Sequence, residues 1–168
     1  MNNKTNVILF YLYQNKRIQE DPMKNYVLCA SLEEDSIKTL AKLKRDLDLT
    51  DAKVHFVTVI EIQVYNSELS AYVYPVESQY AEIESSAVAI QKNLAKTLGV
   101  PEAQATFKCF FDHSPEAKVK DYLEKVNADL VVTATRGRHG IAGFFSSSFT
   151  DFLCKYSPCD ILVLRPSK

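Results

Sequence analysis

Residues 105–134 read ATFKCFFDHSPEAKVKDYLEKVNADLVVTA and contain one complete strand–helix–strand unit. The short apolar runs at 105–111 (ATFKCFF) and 129–134 (DLVVTA) are typical of buried strands. Between them, Ser114 supplies an N-cap and Pro115 a first-turn proline, and the apolar residues that follow at i, i+3, i+4 and i+7 predict an amphipathic helix. This stretch therefore predicts a βαβ unit.

The same alternation of strands and helices extends over most of the chain. Further strands are predicted at residues 25–30, 53–60 and 160–164. The helices between them are marked by apolar faces at Ile37, Leu40, Leu43 and Leu47, at Ile83, Ala87, Ile90, Leu94 and Leu98, and at Phe149, Phe152, Leu153 and Tyr156. Gly99, which permits a positive φ, is expected to end the second of these helices. Strict alternation predicts a parallel sheet covered by helices on both faces. We expect a single α/β domain whose five parallel strands have the order 3-2-1-4-5.

Residues 1–22 precede the first predicted strand, and we expect them to lie outside a domain of residues 23–168. Their apolar run at 7–13 (VILFYLY) is far shorter than the ~20 residues that a membrane span requires. No small-residue cleavage site follows it, so a secretory signal is not indicated. The extension is expected to be disordered, to add an edge strand or a dimer contact, or to reflect a start placed ahead of Met23.

Composition excludes several classes of function. Twenty Lys and Arg residues stand against 21 Asp and Glu residues, for a net charge of -1, and no basic patch stands out. We therefore expect neither nucleic-acid nor membrane binding. The four cysteines, Cys29, Cys109, Cys154 and Cys159, lie in apolar segments without C-x-x-C spacing. Buried structural thiols in a reducing cytoplasm are expected, with a Cys154–Cys159 redox pair as the alternative.

One long segment, residues 61–76 (EIQVYNSELSAYVYPV), interrupts the alternation and carries three tyrosines. A packed irregular loop is the expected structure. Long loops also serve as lids or contact surfaces, which is the alternative here.

A second distinctive stretch, residues 135–149 (TRGRHGIAGFFSSSF), follows the fourth predicted strand. In open α/β sheets, ligands bind beyond the carboxyl ends of the strands where the strand order reverses, here between strands one and four. Glycines, helix-capping serines and the charges of Arg136 and Arg138 suit a phosphate cradle. A flexible turn leading into a capped helix needs the same residues, and spacing alone leaves both interpretations open.

Other catalytic and binding motifs are missing from the sequence. It contains no G-x-x-x-x-G-K-[ST], no G-x-G-x-x-G after strand one and no G-x-S-x-G. The acidic loop at 33–35 would repel the phosphate of a flavin mononucleotide. His55, His113 and His139 are scattered without metal-ligand spacing. We therefore predict no metal site and no catalytic residues.

Residues 130–165, LVVTATRGRHGIAGFFSSSFTDFLCKYSPCDILVLR, resemble the C-terminal signature of the universal stress protein A family. The similarity extends over about Met23 to Arg165, with the T-R-G-R-H-G loop and the P-C-x-I-L-V-L-R finish as its most specific motifs. The resemblance implies a cytoplasmic α/β protein of the stress response. It also implies a homodimer through the last strand, which would pair an otherwise exposed edge. The interface residues would be Ile161, Leu162, Val163 and Leu164.

One branch of that family binds ATP through a motif Gly-x2-Gly-x9-Gly-[Ser/Thr]. The three glycine positions fall here on Ala134, Gly137 and Ser147, and the hydroxyl position falls on Ser148. The family's acidic residue at the end of strand one corresponds to Ser31, which carries no charge. A Cβ at the third glycine position costs about 1 kcal/mol if φ must be positive. The candidate nucleotide-binding residues are Ala30, Ser31, Val59, Ala134, Thr135, Arg136, Gly137, Arg138, Gly140, Ser147 and Ser148.

Three functions follow from these expectations. The leading hypothesis is a homodimeric binding or regulatory module with a degenerate nucleotide site that binds ATP weakly or not at all. The alternative is a switch that binds ATP with Mg²⁺ and hydrolyses it slowly. The third is a protein–protein adaptor that uses the tyrosine-bearing segment.

Overall fold

The computed structural model describes residues 23–66, 71–134 and 149–166. Its strands are β1 Lys24–Cys29, β2 Ala52–Glu61, β3 Gln63–Asn66, β4 Ala71–Tyr74, β5 Ala105–Asp112, β6 Leu130–Ala134 and β7 Asp160–Leu164. Five of them form a parallel sheet in the order β5-β2-β1-β6-β7. Counted within this sheet alone, the order is 3-2-1-4-5, as predicted. The segments 1–22 and 135–148 lie outside the described residues.

The described helices are α1 Glu34–Leu40, α2 Leu43–Asp46, α3 Tyr80–Leu98, α4 Pro115–Lys125 and α5 Phe149–Tyr156, with 3₁₀ turns at Glu77–Gln79 and Glu102–Gln104. The first helix was predicted to be continuous, but it is divided into α1 and α2. Between them, Lys42 N–H donates to the Thr39 carbonyl and Lys44 N–H donates to the Ala41 carbonyl. These tighter i→i−3 bonds interrupt the helix, yet Leu40 and Leu43 both stay buried.

Two apolar layers hold the helices on opposite faces of the sheet. On one face, Leu40, Leu43 and Leu94 from α1, α2 and α3 pack against Leu28 and Phe56 of the sheet. The other layer contains Val119 and Leu123 of α4, Leu153 of α5, and Val27, Val57 and Val131 of the sheet. Coverage of both faces explains why the strands are apolar runs rather than alternating ones.

The predicted signals for helix ends are confirmed. Gly99 follows α3 with φ of 78°, in the left-handed region where glycine carries no Cβ penalty. At the start of α4, the Ser114 Oγ accepts a hydrogen bond from the Ala117 N–H at 3.4 Å, and Pro115 occupies the first position. These signals fix where α3 ends and where α4 begins.

The segment after β2 is not the irregular packed loop that the sequence suggested. Strands β3 and β4 form an antiparallel hairpin in which Tyr65 pairs with Tyr72 and stacks on it at 5.1 Å. All eight strand residues are exposed. The prediction of a packed loop was therefore wrong, because alternating valines and tyrosines satisfy strand pairing without burial in the domain.

Candidate functional site

The strand order reverses between β1 and β6, and these two strands end side by side. They pair in parallel, with Cys29 opposite Thr133. Ala30 and Ala134 are the next residues along the two strands, so both small side chains reach the same carboxyl edge. Ala30 is buried and Ala134 is half-buried. This edge is where an α/β sheet of this order accommodates a ligand.

A chain of hydrogen bonds fixes the end of β1. The Ala30 N–H donates to the Val57 carbonyl at 2.9 Å, and the Ala30 carbonyl accepts from the Thr58 hydroxyl at 2.7 Å. The Thr58 hydroxyl accepts in turn from the Gln91 Nε2 at 2.9 Å. Gln91 Nε2 also donates to the Lys108 carbonyl at 2.8 Å. Through these bonds, the helix α3 is linked to β1, β2 and β5.

Sequence reasoning missed Gln91, whose side chain supports the end of β1 through Thr58. Its side chain is 0 % exposed, although it belongs to a charged, mostly exposed helix. Its position at i+4 from Ala87 and i−3 from Leu94 places it on the buried face of α3, and this spacing was the available signal. Its Oε1 atom has no hydrogen-bond partner among the described residues.

The loop after β1 is acidic and partly ordered by its own contacts. The half-buried Ser31 uses its Oγ to accept the Glu33 N–H at 3.4 Å. The Lys38 ammonium forms an ion pair with Glu34 at 2.7 Å and lowers the pKa of that carboxyl. Glu34, the first residue of α1 just after this loop, is thus charged at neutral pH, which disfavours a highly charged phosphate group nearby.

Val59 is the predicted site residue that lies on β2. It follows Thr58 on β2, is half-buried and packs against the layer that contains α4 and α5. Four predicted site residues, Ala30, Ser31, Val59 and Ala134, therefore lie near the carboxyl ends of β1, β2 and β6. The other seven candidates lie outside the described residues: Thr135, Arg136, Gly137, Arg138, Gly140, Ser147 and Ser148.

The four cysteines are free thiols, but they are not all buried as predicted. Burial raises the pKa of Cys29 to about 12 and that of Cys109 to about 11. Cys154 is exposed because it lies on the outer side of α5, and Cys159 is half-buried. The prediction of buried structural thiols was wrong for Cys154.

Two histidines have structural contacts. His55 is buried, and its Nδ1 lies 3.0 Å from the Tyr122 hydroxyl. Burial lowers the pKa of His55, as do the charges of Lys53 and Lys108. His113 Nδ1 donates to the Ile62 carbonyl at 2.8 Å. No group of side chains within the described ranges has the composition to hold a metal ion.

None of the described helices combines the length and the apolar character needed to cross a membrane.

Residues 23–165 match the sequence profile of the universal stress protein family. The chain belongs to this family. A putative universal stress protein of Staphylococcus aureus is 26% identical over 116 residues, which are 68% of either chain.

Solved structures of universal stress proteins share the fold. One, in complex with cAMP, has a TM-score of 0.62 at 18% identity and covers 86% of this chain and 98% of its own. A universal stress protein from Lactobacillus plantarum has a TM-score of 0.56 at 15% identity, with 85% and 98% covered. A family protein from Arabidopsis thaliana with AMP bound has a TM-score of 0.51 at 12% identity, with 86% and 92% covered.

Proposed function

We propose that this universal stress protein is a cytoplasmic, homodimeric regulatory module that binds an adenine nucleotide weakly at the carboxyl ends of β1 and β6. The observation that carries the proposal is the convergence of Ala30, Ser31, Val59 and Ala134 at this edge. Two family members of the same fold are described with cAMP and with AMP. Adenine nucleotides are therefore the ligand class to test.

We expect weak binding because of the groups that the described residues offer to a nucleotide. Ser31 offers a neutral hydroxyl, and a hydrogen bond to a neutral group contributes about 1 kcal/mol, against about 1.5–3 kcal/mol for one to a charged group. The exposed carboxylates of Glu34 and Asp35 follow it in the chain and repel phosphates. The repulsion reduces the affinity for ATP more than for a monophosphate, because ATP carries more negative charge.

Calorimetric titration tests the proposal with AMP, cAMP and ATP with Mg²⁺. We expect saturable binding with dissociation constants well above about 1 μM, that is, weaker than about −8 kcal/mol. Ala134→Leu should abolish it by filling the edge, whereas Ala103→Leu, at an exposed position in a 3₁₀ turn, should leave it unchanged. ATP binding below 1 μM, or no saturable heat for any of the three nucleotides, contradicts the proposal.

The second candidate function is an ATP switch with slow hydrolysis. It is favoured by Gly137 and Ser148, which keep their motif positions, and by the charges of Arg136 and Arg138. ATP that copurifies with the protein, and phosphate release that Gly137→Asp abolishes, would support the switch. Phosphate release that is the same in Gly137→Asp would exclude it.

The homodimer is proposed to form through β7, the last strand of the sheet. Residues Ile161 to Leu164 are each half-buried, although β7 is an outermost strand. Pairing with the same strand of a second copy would complete their burial. Light scattering should give a dimer mass for the native chain and a monomer mass for Ile161→Lys, whereas Tyr156→Lys on the exposed side of α5 should stay dimeric. A native monomer contradicts this part of the proposal.

A further inference from the structure

Among the described strands, β5 and β7 are the outermost ones of the main sheet. Strand β5 has eight residues and β7 has five. An outermost strand presents a row of backbone N–H and C=O groups on its outer side, and proteins commonly cover such a row. The long outer edge of β5 has no partner strand among residues 23–66, 71–134 and 149–166.

Strand β5 carries three phenylalanines, and its side chains are incompletely buried on both faces of the sheet. Phe107 stacks on Phe56 at 5.5 Å in the layer of α1 to α3, and Phe110 contacts Tyr122 at 5.4 Å in the layer of α4 and α5. Seven of the eight residues of β5 are half-buried, and only Lys108 is exposed. A further strand beside β5 would therefore bury apolar area on both faces.

The chain contains a segment with the composition of such a strand. Residues 7–13 (VILFYLY) are apolar at seven consecutive positions, so both alternating sets of side chains are apolar. A strand with two apolar faces fits a sheet that is covered on both sides, not a surface hairpin. The β3–β4 hairpin has both faces exposed and would leave half of these side chains in water.

The length of the linker decides the direction of such a strand, although the outer sides of β5 and β7 are equally far from β1. Nine residues, 14–22, separate the run from Met23. Tyr26 of β1 pairs with Val54 of β2, and Val54 pairs with Ala105 of β5. A strand on the outer side of β5 would therefore be the third strand away from β1, at a distance of about 14 Å from the start of β1. Nine residues span up to about 30 Å. They reach this edge easily, but they are too few for a parallel connection, which needs a dozen or more residues.

We propose that residues 7–13 form a sixth strand of the sheet, antiparallel to β5 of the same chain. Tyr13 would lie beside Ala105, and Val7 would lie towards Phe111. A seven-residue strand matches the eight residues of β5 better than the five of β7. The inference concerns the outer edge of the domain and is independent of nucleotide binding.

Residue-resolved amide hydrogen exchange of the full chain tests the proposal. The β5 amides that point away from β2 should be protected in the native chain. In the double variant Leu9→Pro/Tyr11→Pro, the prolines cannot donate hydrogen bonds to β5, so the added strand should be lost. The outward β5 amides should then exchange at least tenfold faster than in the native chain. The β7 amides should be unchanged, and the control Asn3→Pro, ahead of the run, should behave like the native chain.

Four results would overturn the proposal. These are rapid exchange at the β5 edge of the native chain, equal protection in native chain and variant, a loss of protection at β7 instead, and protection that depends on protein concentration. The last result would place the segment on a second copy. A second variant avoids proline: Phe10→Lys should lower the thermal midpoint more than Thr5→Lys does, and equal midpoints would contradict burial of the run.

Discussion

The substitution Thr58→Val tests whether the hydrogen-bond chain at the end of β1 stabilises the domain. Valine has nearly the same shape and favours strands, so the change removes the hydroxyl and little else. The buried Ala30 carbonyl loses its 2.7 Å donor, and one Gln91 N–H loses its 2.9 Å acceptor. An unpaired buried polar group costs about 1–3 kcal/mol. We expect a loss of about 3 kcal/mol in the free energy of unfolding.

For a chain of this size, about 3 kcal/mol corresponds to a fall of about 9 °C in the thermal midpoint. Urea unfolding followed by circular dichroism gives the free energy, and calorimetry gives the midpoint. The matched control Thr58→Ser keeps the hydroxyl and loses a methyl group, which costs about 1 kcal/mol. If Thr58→Val is as stable as Thr58→Ser, the hydroxyl is not needed and the reasoning fails.

A double-mutant cycle with Gln91→Met measures the coupling directly. Because Gln91 donates to Thr58, the double variant should be about 1 kcal/mol more stable than the sum of the two single changes implies. Additive losses would show that the two side chains act independently, despite their 2.9 Å contact.

Three further predictions concern the site, the acid stability and the thiols. Ser31→Asp places a carboxylate at the end of β1 and should raise the adenine-nucleotide affinity, measured by calorimetry, about tenfold. The reason is that a hydrogen bond to a charged group contributes over 1 kcal/mol more than one to a neutral hydroxyl. The control Leu32→Asp should leave the affinity unchanged. His55 has a folded pKa below its unfolded value of about 6.5, so its contribution to stability is present above that pH and is lost as pH falls. Thermal scans should therefore show that the thermal midpoint falls less between pH 7 and pH 5 in His55→Gln than in the native chain. At pH 8, a thiol-reactive chromogenic disulfide should react rapidly with Cys154 but not with Cys29, whose pKa is about 12.

A specific result would contradict each of these three predictions. Equal affinities for Ser31→Asp and Leu32→Asp would mean that position 31 does not contact the ligand. Identical pH profiles for the native chain and His55→Gln would mean that the buried imidazole does not titrate differently on folding. A fast thiol that persists in Cys154→Ser would place the reactive sulfur elsewhere.

The parallel sheet was predictable because its signals are local. Apolar runs, the Ser114–Pro115 start of α4 and Gly99 after α3 each act through neighbouring residues in the chain, and their structures match expectation. The hairpin after β2 was missed because both faces of its strands are exposed. A hydrophobic pattern indicates burial, so strands whose side chains are exposed give a misleading pattern.

The proximity of Ala30 and Ala134 was predictable from the sequence, but the hydrogen bonds that support the end of β1 were not. Strand order alone brought Ala30 and Ala134 to one edge, since parallel pairing aligns their preceding residues. The support from Gln91 could not be predicted, because a glutamine in a polar helix is ordinarily solvated. The Gln91 side-chain amide reaches Thr58 and the Lys108 carbonyl only because α3 packs on the sheet.

We propose that an adenine nucleotide binds where β1 and β6 end. The decisive experiment is a titration of the isotope-labelled chain with AMP, followed by amide chemical shifts. We expect saturable shifts in fast exchange at Ala30, Ser31, Val59 and Ala134, with Cys109 and Tyr156 unaffected. Shifts concentrated elsewhere, or none at millimolar AMP, would contradict it.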